Sequence, residues 1–197
     1  MRHLTALFQV IWRQGEVPQD FKDATIVHLY KRKGNRQICD NHRDISLLNI
    51  VGKILAHLLL NRLNNHLEQS LLPESWCGFR RHRGTTDMTF AARQLQEKCQ
   101  EMRTHLHSTF VDLTKALDTV NREGLYKLIR KFGCPKRFTQ MVRQLHDGMM
   151  ARVTNNGAVS EAFVVTSGMT RGCVPEPTLF SIMFSETLME AYRDERP

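Results

Sequence analysis

The chain has 197 residues, enough for one domain with a real core or for most of two subdomains sharing a cleft. Its 28 Lys plus Arg outweigh 20 Asp plus Glu for a net charge of +8, which favours a polyanionic partner, nucleic acid first, over a membrane. Apolar stretches such as "ILAHLLL" reach about a third of the ~20 residues a membrane-spanning helix needs, and the odd count of 5 cysteines without C-x-x-C excludes a disulfide framework or zinc ribbon.

The N-terminal "MRHLTALFQVIWRQG" carries no small-residue cleavage site, so the expected setting is intracellular, nuclear or cytoplasmic, with no membrane. Leu4, Leu7, Phe8, Ile11 and Trp12 recur at helical spacing, and "GEVP" stops that helix. The β-branched "ATIVHLY" then reads as a strand running into the basic loop "KRKGNRQ".

From Ser46, a candidate N-cap, "SLLNIVGKILAHLLLNRLNNHLEQSLL" keeps helical periodicity up to Pro73. A second basic loop, "GFRRHRGTTD", ends in Thr and Asp capping residues that launch a helix over "MTFAARQLQEKCQEM". "HSTFVDL" turns to strand character. "NREGLYKLIRKFG" and "KRFTQMVRQLHDG" read as two helices split by Gly133 and Pro135, "ARVTNNGAVSEAFVV" holds an Asn-Gly hairpin signal, and "PTLFSIMFSETLMEAYRDE" closes the chain as a helix. The fold class is α+β, with basic loops joining the elements.

Asp112 is the first chemical candidate: a carboxylate where a strand leaves a core can hold Mg²⁺, which takes few protein oxygens and leaves room for substrate phosphates. Asp118, six residues on, either lies near it or caps the helix starting at Asn121. His105 with His107, and Cys39 with His42, have ligand-like spacing but no evident third or fourth zinc ligand. Trp12, Trp76 and Phe79 serve either the core or base stacking, with core packing favoured for Trp12.

"STFVDLTKALDTVNREGL" resembles the first catalytic motif of reverse transcriptases from retrotransposons that lack long terminal repeats, which read Phe-x-Asp-x-x-x-Ala-Phe-Asp there. "FKDATIVHLYKRKGNRQICDNHRDISLLNIVGKILAHLLLNRL" is similar to that family's fingers region, "LPESWCGFRRHRGTTD" to its Gln-x-Gly-Phe block and "SGMTRGCVPEPTLFSIMF" to its Gln-Gly-Cys block, in the family's order. Four ordered blocks are far more specific than any one of them.

The resemblance implies a partial right-hand polymerase fold, with residues 1–105 as fingers and 106–197 as an incomplete palm. It implies Asp112 as the catalytic Mg²⁺ ligand; Lys31, Lys33, Arg43, Leu117, Arg171 and Gly172 around the nucleotide; and Arg80, Arg81 and Arg83 along nucleic acid. The partners implied are an RNA template and a DNA primer. For the basic loops, a merely solvated charge run is the competing reading.

This sequence departs from the pattern. Leu117 replaces the aromatic that filters the 2′-hydroxyl, Arg171 the glutamine of the Gln-Gly block, Glu176 its serine, and Asp44 the proline after Arg43. The family's Asp-Asp pair follows the last helix, and no Asp-Asp dipeptide occurs here; "YRDE" finishes a helical run without hairpin strands. The expectation is a fragment of an RNA-directed DNA polymerase, truncated before that pair and inactive by itself. The alternatives are a non-catalytic nucleic-acid-binding module or a retrotransposon remnant without a function.

Overall fold

The computed structural model describes residues 2–69, 77–113, 115–155, 157–169 and 174–194. Helix α1 (Arg2–Gln14) ends at Gly15, whose φ of +76° suits the left-handed turn that stops a helix. The short helix α2 (Gln19–Lys22) leads into strand β1 (Ala24–Tyr30), and the basic loop follows as expected.

The first difference lies in the next segment. Residues His42–Leu48 form strand β2, antiparallel to β1 with Ala24 opposite Leu48 and Tyr30 opposite His42. Ser46 is therefore a buried strand residue and not a cap. Helix α3 (Ile50–Leu67) is capped by Asn49, whose side-chain oxygen accepts the Gly52 N–H at 2.5 Å. Leu47 and Leu48 fit the helical periodicity, but the antiparallel register with β1 runs over all of His42–Leu48 and pairs those backbone groups of the segment that face β1.

Helix α4 (Thr85–Glu101) starts three residues before the expected Met88, because the Thr and Asp residues expected to cap it are already helical. Gly84 is its N-cap, and Asp87 in the first turn accepts the Gly84 N–H at 2.7 Å, so Thr85 is helical. No residue of α4 is buried. The strand expected at "HSTFVDL" does not form: residues 105–113 are irregular and exposed, with Phe110 95% and Val111 68% accessible. Among the described residues no strand runs beside them, and a strand without a lateral partner leaves its N–H and C=O groups to water. Asp112 therefore does not leave a core at a strand end, and the spacing of His105 and His107 falls on irregular backbone and not on a strand.

Helix α5 (Arg122–Lys131) is capped by Asn121, which accepts the Gly124 N–H at 2.9 Å, so Asp118 is not the cap. Gly133 and Pro135 separate it from α6 (Lys136–His146) as the sequence indicates. Strands β3 (Met150–Asn155) and β4 (Ala158–Val159) form the expected hairpin around Gly157, β5 (Phe163–Val164) pairs with the start of β3, and α7 spans Glu176–Asp194.

The sheet is mixed, in the order β2-β1-β3-β4, with β5 also on β3. Its central contact is the parallel pair of β1 with β3, Ala24 opposite Ala151. Local polar contacts set that register: Lys22 Nζ donates to Asp147 O at 2.8 Å, Gln19 Nε2 to Gly148 O at 2.8 Å, and the Met150 N–H to Asp23 Oδ1 at 3.0 Å. The core packs Leu55, Leu59 and Leu63 of α3 against Leu125 and Ile129 of α5, Met141 and Val142 of α6, and Leu179 and Ile182 of α7. Each fully buried Leu or Ile there contributes roughly 1.5–3 kcal/mol of transfer free energy. Trp12 packs at the rim of this core with the Arg62 guanidinium 3.9 Å above its ring. The architecture is thus a mixture of helices and one mixed sheet.

Candidate nucleotide and nucleic-acid cleft

An open cleft of about 2100 Å³ lies between the free end of the β1–β2 ribbon and residues 112–113 and 115–118. Side chains alternate across a strand, so one face of the ribbon runs from the buried pair Ala24–Leu48, through the half-buried Ile26 and the buried Ser46, to His28–Asp44 and Tyr30–His42, which line the cleft. Nδ1 of His28 is hydrogen-bonded to Asp44 Oδ1. The Tyr30 hydroxyl donates to Gly34 O at 2.5 Å. Arg43 lines the same space, as does Lys31, whose Nζ donates to Asp40 O at 2.8 Å.

Asp112, Leu117 and Asp118 form the opposite wall, with Lys115 reaching Asp40 Oδ1 at 3.2 Å across the cleft. This wall is fastened from behind. The Met169 N–H donates to Leu117 O at 2.8 Å, and Leu117 packs on the main core. Gly168, at φ +72°, sits so close that a Cβ there would lie 2.5 Å from Asp118 O. Glu176, 1% exposed, reaches the cleft from the first turn of α7, where free helix N–H groups favour negative charge.

Arg122 supports the Gly168 loop. Its Nε donates to Gly168 O at 2.8 Å, its Nη1 to His146 O at 3.0 Å and Val165 O at 3.1 Å, and its Nη2 to Ser167 O at 3.4 Å. Below it, the buried Tyr126 hydroxyl lies 3.3 Å from His146 Nδ1. Burial first, and then the Arg122 charge, push the His146 pKa down to about 4, so the ring is neutral near pH 7. Burial, with the nearby Asp147 carboxylate second, raises the Tyr126 hydroxyl well above its ordinary range.

The cleft thus gathers Lys31, Arg43, Asp112 and Leu117 from distant parts of the sequence. Lys33 is exposed on the adjoining loop and is not part of the lining. Arg80 and Arg81 line a separate small recess against α3 and α7 with Phe79, while Arg83 follows in an exposed turn. Arg81 is tied to α3 through Asn61 Oδ1 at 2.8 Å and Asn65 Oδ1 at 3.3 Å. Arg171, Gly172 and Trp76 lie outside the described residues. Phe79 is 66% exposed with a φ of +54°. His28, Tyr30, His42 and Asp44 were not singled out as a group from the sequence; the substitution of Asp for Pro after Arg43 was the one available signal.

Asp112, Asp118 and Glu176 all border the cleft. Yet among the described residues no three His, Cys, Asp or Glu side chains come together closely enough to hold a metal ion. The described donors do not fit a two-ion centre, for which one carboxylate is insufficient. Also among the described residues, no helix is long and apolar enough to cross a membrane.

The chain is 29% identical over 185 residues to the RNA-directed DNA polymerase from mobile element jockey of Drosophila funebris, covering 93% of this chain and 20% of that protein. It is 25% identical over 186 residues to a probable RNA-directed DNA polymerase from transposon BS of Drosophila melanogaster, with 93% and 20% coverage. It is 24% identical over 187 residues to the retrovirus-related Pol polyprotein from type-2 retrotransposable element R2DM of the same species, with 91% and 16% coverage. The chain spans about a fifth of the length of these relatives. The family model described as reverse transcriptase (RNA-dependent DNA polymerase) matches residues 30–194, and the chain belongs to that family.

Proposed function

We propose that residues 1–105 serve as fingers and residues 106–197 as part of the palm of an RNA-directed DNA polymerase, with the cleft receiving the phosphates of a nucleotide or of an RNA template and DNA primer. The observation that carries this reading is the placement of Lys31 and Arg43 on one wall opposite Asp112 and Leu117 on the other. A guanidinium and an ammonium at a cleft mouth attract phosphates, and the fork of Arg43 suits two phosphate oxygens at once. Lys33 extends that positive wall, Arg171 and Gly172 belong to the block that closes on the nucleotide, and Leu117 faces its sugar. Arg80, Arg81 and Arg83 follow the nucleic-acid backbone.

Mg²⁺, the ion such chemistry uses, would find in Asp112 one ligand among several it needs. Binding of nucleic acid is therefore the activity assigned to the 197 residues on their own, and polymerisation the activity of the longer relatives. Primer extension with Mg²⁺ or Mn²⁺ tests this: the isolated chain should give no extension above the Asp112→Ala background. Processive synthesis lost in Asp112→Ala would sink the assignment. Absence of any oligonucleotide binding at low salt would remove the cleft reading as well.

A further inference from the structure

Helix α4 runs for 17 residues and buries none of them. A helix of that length in water draws most of its stability from packing an apolar stripe, and such a stripe is present. Met88, Ala92, Leu95, Cys99 and the C-cap Met102 follow steps of four, three, four and three, the spacing of a coiled-coil seam. Met88 is 49%, Leu95 58% and Met102 64% exposed. The opposite side carries Thr86, Arg93, Glu97 and Gln100, with Phe90 as its apolar exception. No residue of α4 lines the cleft or the recess at Arg80.

A seam with this period fits another helix, and its volumes and charges match the same helix reversed. In a parallel pair each seam residue meets its own copy, so Ala92 faces Ala92 and leaves a gap while Lys98 stands beside Arg103 of the other copy, a like-charge contact. In an antiparallel pair Leu95 sits over Ala92 and Met88 over Cys99, large against small, and Lys98 comes within reach of Asp87 of the other copy. The Lys98 ammonium is held only by an exposed contact with Glu101 at 2.8 Å, a surface pair of little strength. We propose that α4 is a self-association surface, on which two copies of this chain pair their α4 helices antiparallel through Met88, Ala92, Leu95, Cys99 and Met102. The inference is independent of the reading of the cleft.

Sedimentation velocity of the 197-residue chain over a concentration series is the test. A seam of five positions makes a small interface, and the expected dissociation constant is ~10 μM. Leu95→Glu should raise that constant about a hundredfold, because both copies lose an apolar anchor and bring a charge into the seam. Phe90→Glu, on the opposite side of the same helix, should leave it unchanged. Neither side chain is in the core, and equal urea midpoints for the dilute variants check that the fold is intact. A mixture of Ala92→Cys and Leu95→Cys chains should cross-link through those two positions on mild oxidation. The native Cys99 thiols should not join, since the antiparallel pairing separates them by 11 positions, ~16 Å at 1.5 Å per residue. A monomer throughout the series, a dimer that survives Leu95→Glu, or a Cys99–Cys99 disulfide each overturns the proposal and leaves the cleft reading untouched.

Discussion

Replacing Arg122 by methionine keeps most of its volume and removes its charge and its five donors. Three of its hydrogen bonds, to Gly168 O, His146 O and Val165 O, are 3.1 Å or shorter, and the contact to Ser167 O at 3.4 Å is weak. At about 1.5 kcal/mol for each charge-assisted bond the sum is ~4.5 kcal/mol, and water reaching a half-buried site lowers the expected loss to about 3 kcal/mol. That is a large part of the ~5–15 kcal/mol by which domains are stable. Urea titration should show the midpoint falling with the slope unchanged, and Arg122→Lys should recover less than half, because an ammonium cannot reach all three carbonyls. The same variant should release the Gly168 loop from behind Leu117 and weaken oligonucleotide binding. A loss of stability under ~1 kcal/mol in Arg122→Met, with binding intact, would refute the view that this guanidinium ties α5, α6 and the cleft wall together.

Other outcomes follow from the same contacts. Gly168→Ala must place a side chain at φ +72° and 2.5 Å from Asp118 O, so it should cost more than the ~1–2 kcal/mol of left-handed strain alone and lower oligonucleotide affinity; thermal melts and anisotropy check both. Unfolded chains take up a proton at His146 as pH falls through 6.5, whereas the folded chain resists until about 4. This contribution is therefore full at pH 7, falls across the window from 6.5 to 4 with a slope approaching ~1.4 kcal/mol per pH unit, and is flat below it; His146→Gln should remove that segment of the stability–pH curve. Lys31→Ala should reduce the slope of log affinity against log salt for single-stranded DNA by about 0.7, the contribution of one phosphate contact. Phe110→Ser, at a side chain 95% exposed, should leave the unfolding free energy from urea titration within ~0.5 kcal/mol and reduce light scattering of concentrated samples.

Helices α3, α5 and α6 could be read from the chain because burying one stripe of a helix leaves a 3.6-residue period in the sequence, as Leu55, Leu59 and Leu63 show. The hairpin at Gly157 and the helix end at Gly15 were legible for a similar reason, since a left-handed backbone favours glycine wherever it occurs. Four motif blocks in order pointed to the family, and the family match over residues 30–194 agrees. What no window of sequence contains is the identity of a strand's neighbour. "HRDISLL" lies beside β1 and became β2, whereas "HSTFVDL", with as much β-branched and aromatic character, has no described neighbour and stayed irregular. The cleft depends on the same kind of fact. Lys31 and Asp112 are 81 positions apart in the sequence and border the same cleft, whose far wall the Gly168 loop holds at residues 117–118 from behind. Local sequence determines which segments curl and where they stop, since those energies involve residues three or four apart. Tertiary structure decides which carboxylates, cations and rings share a space, since lateral hydrogen bonds and close backbone approach join residues that the chain order separates.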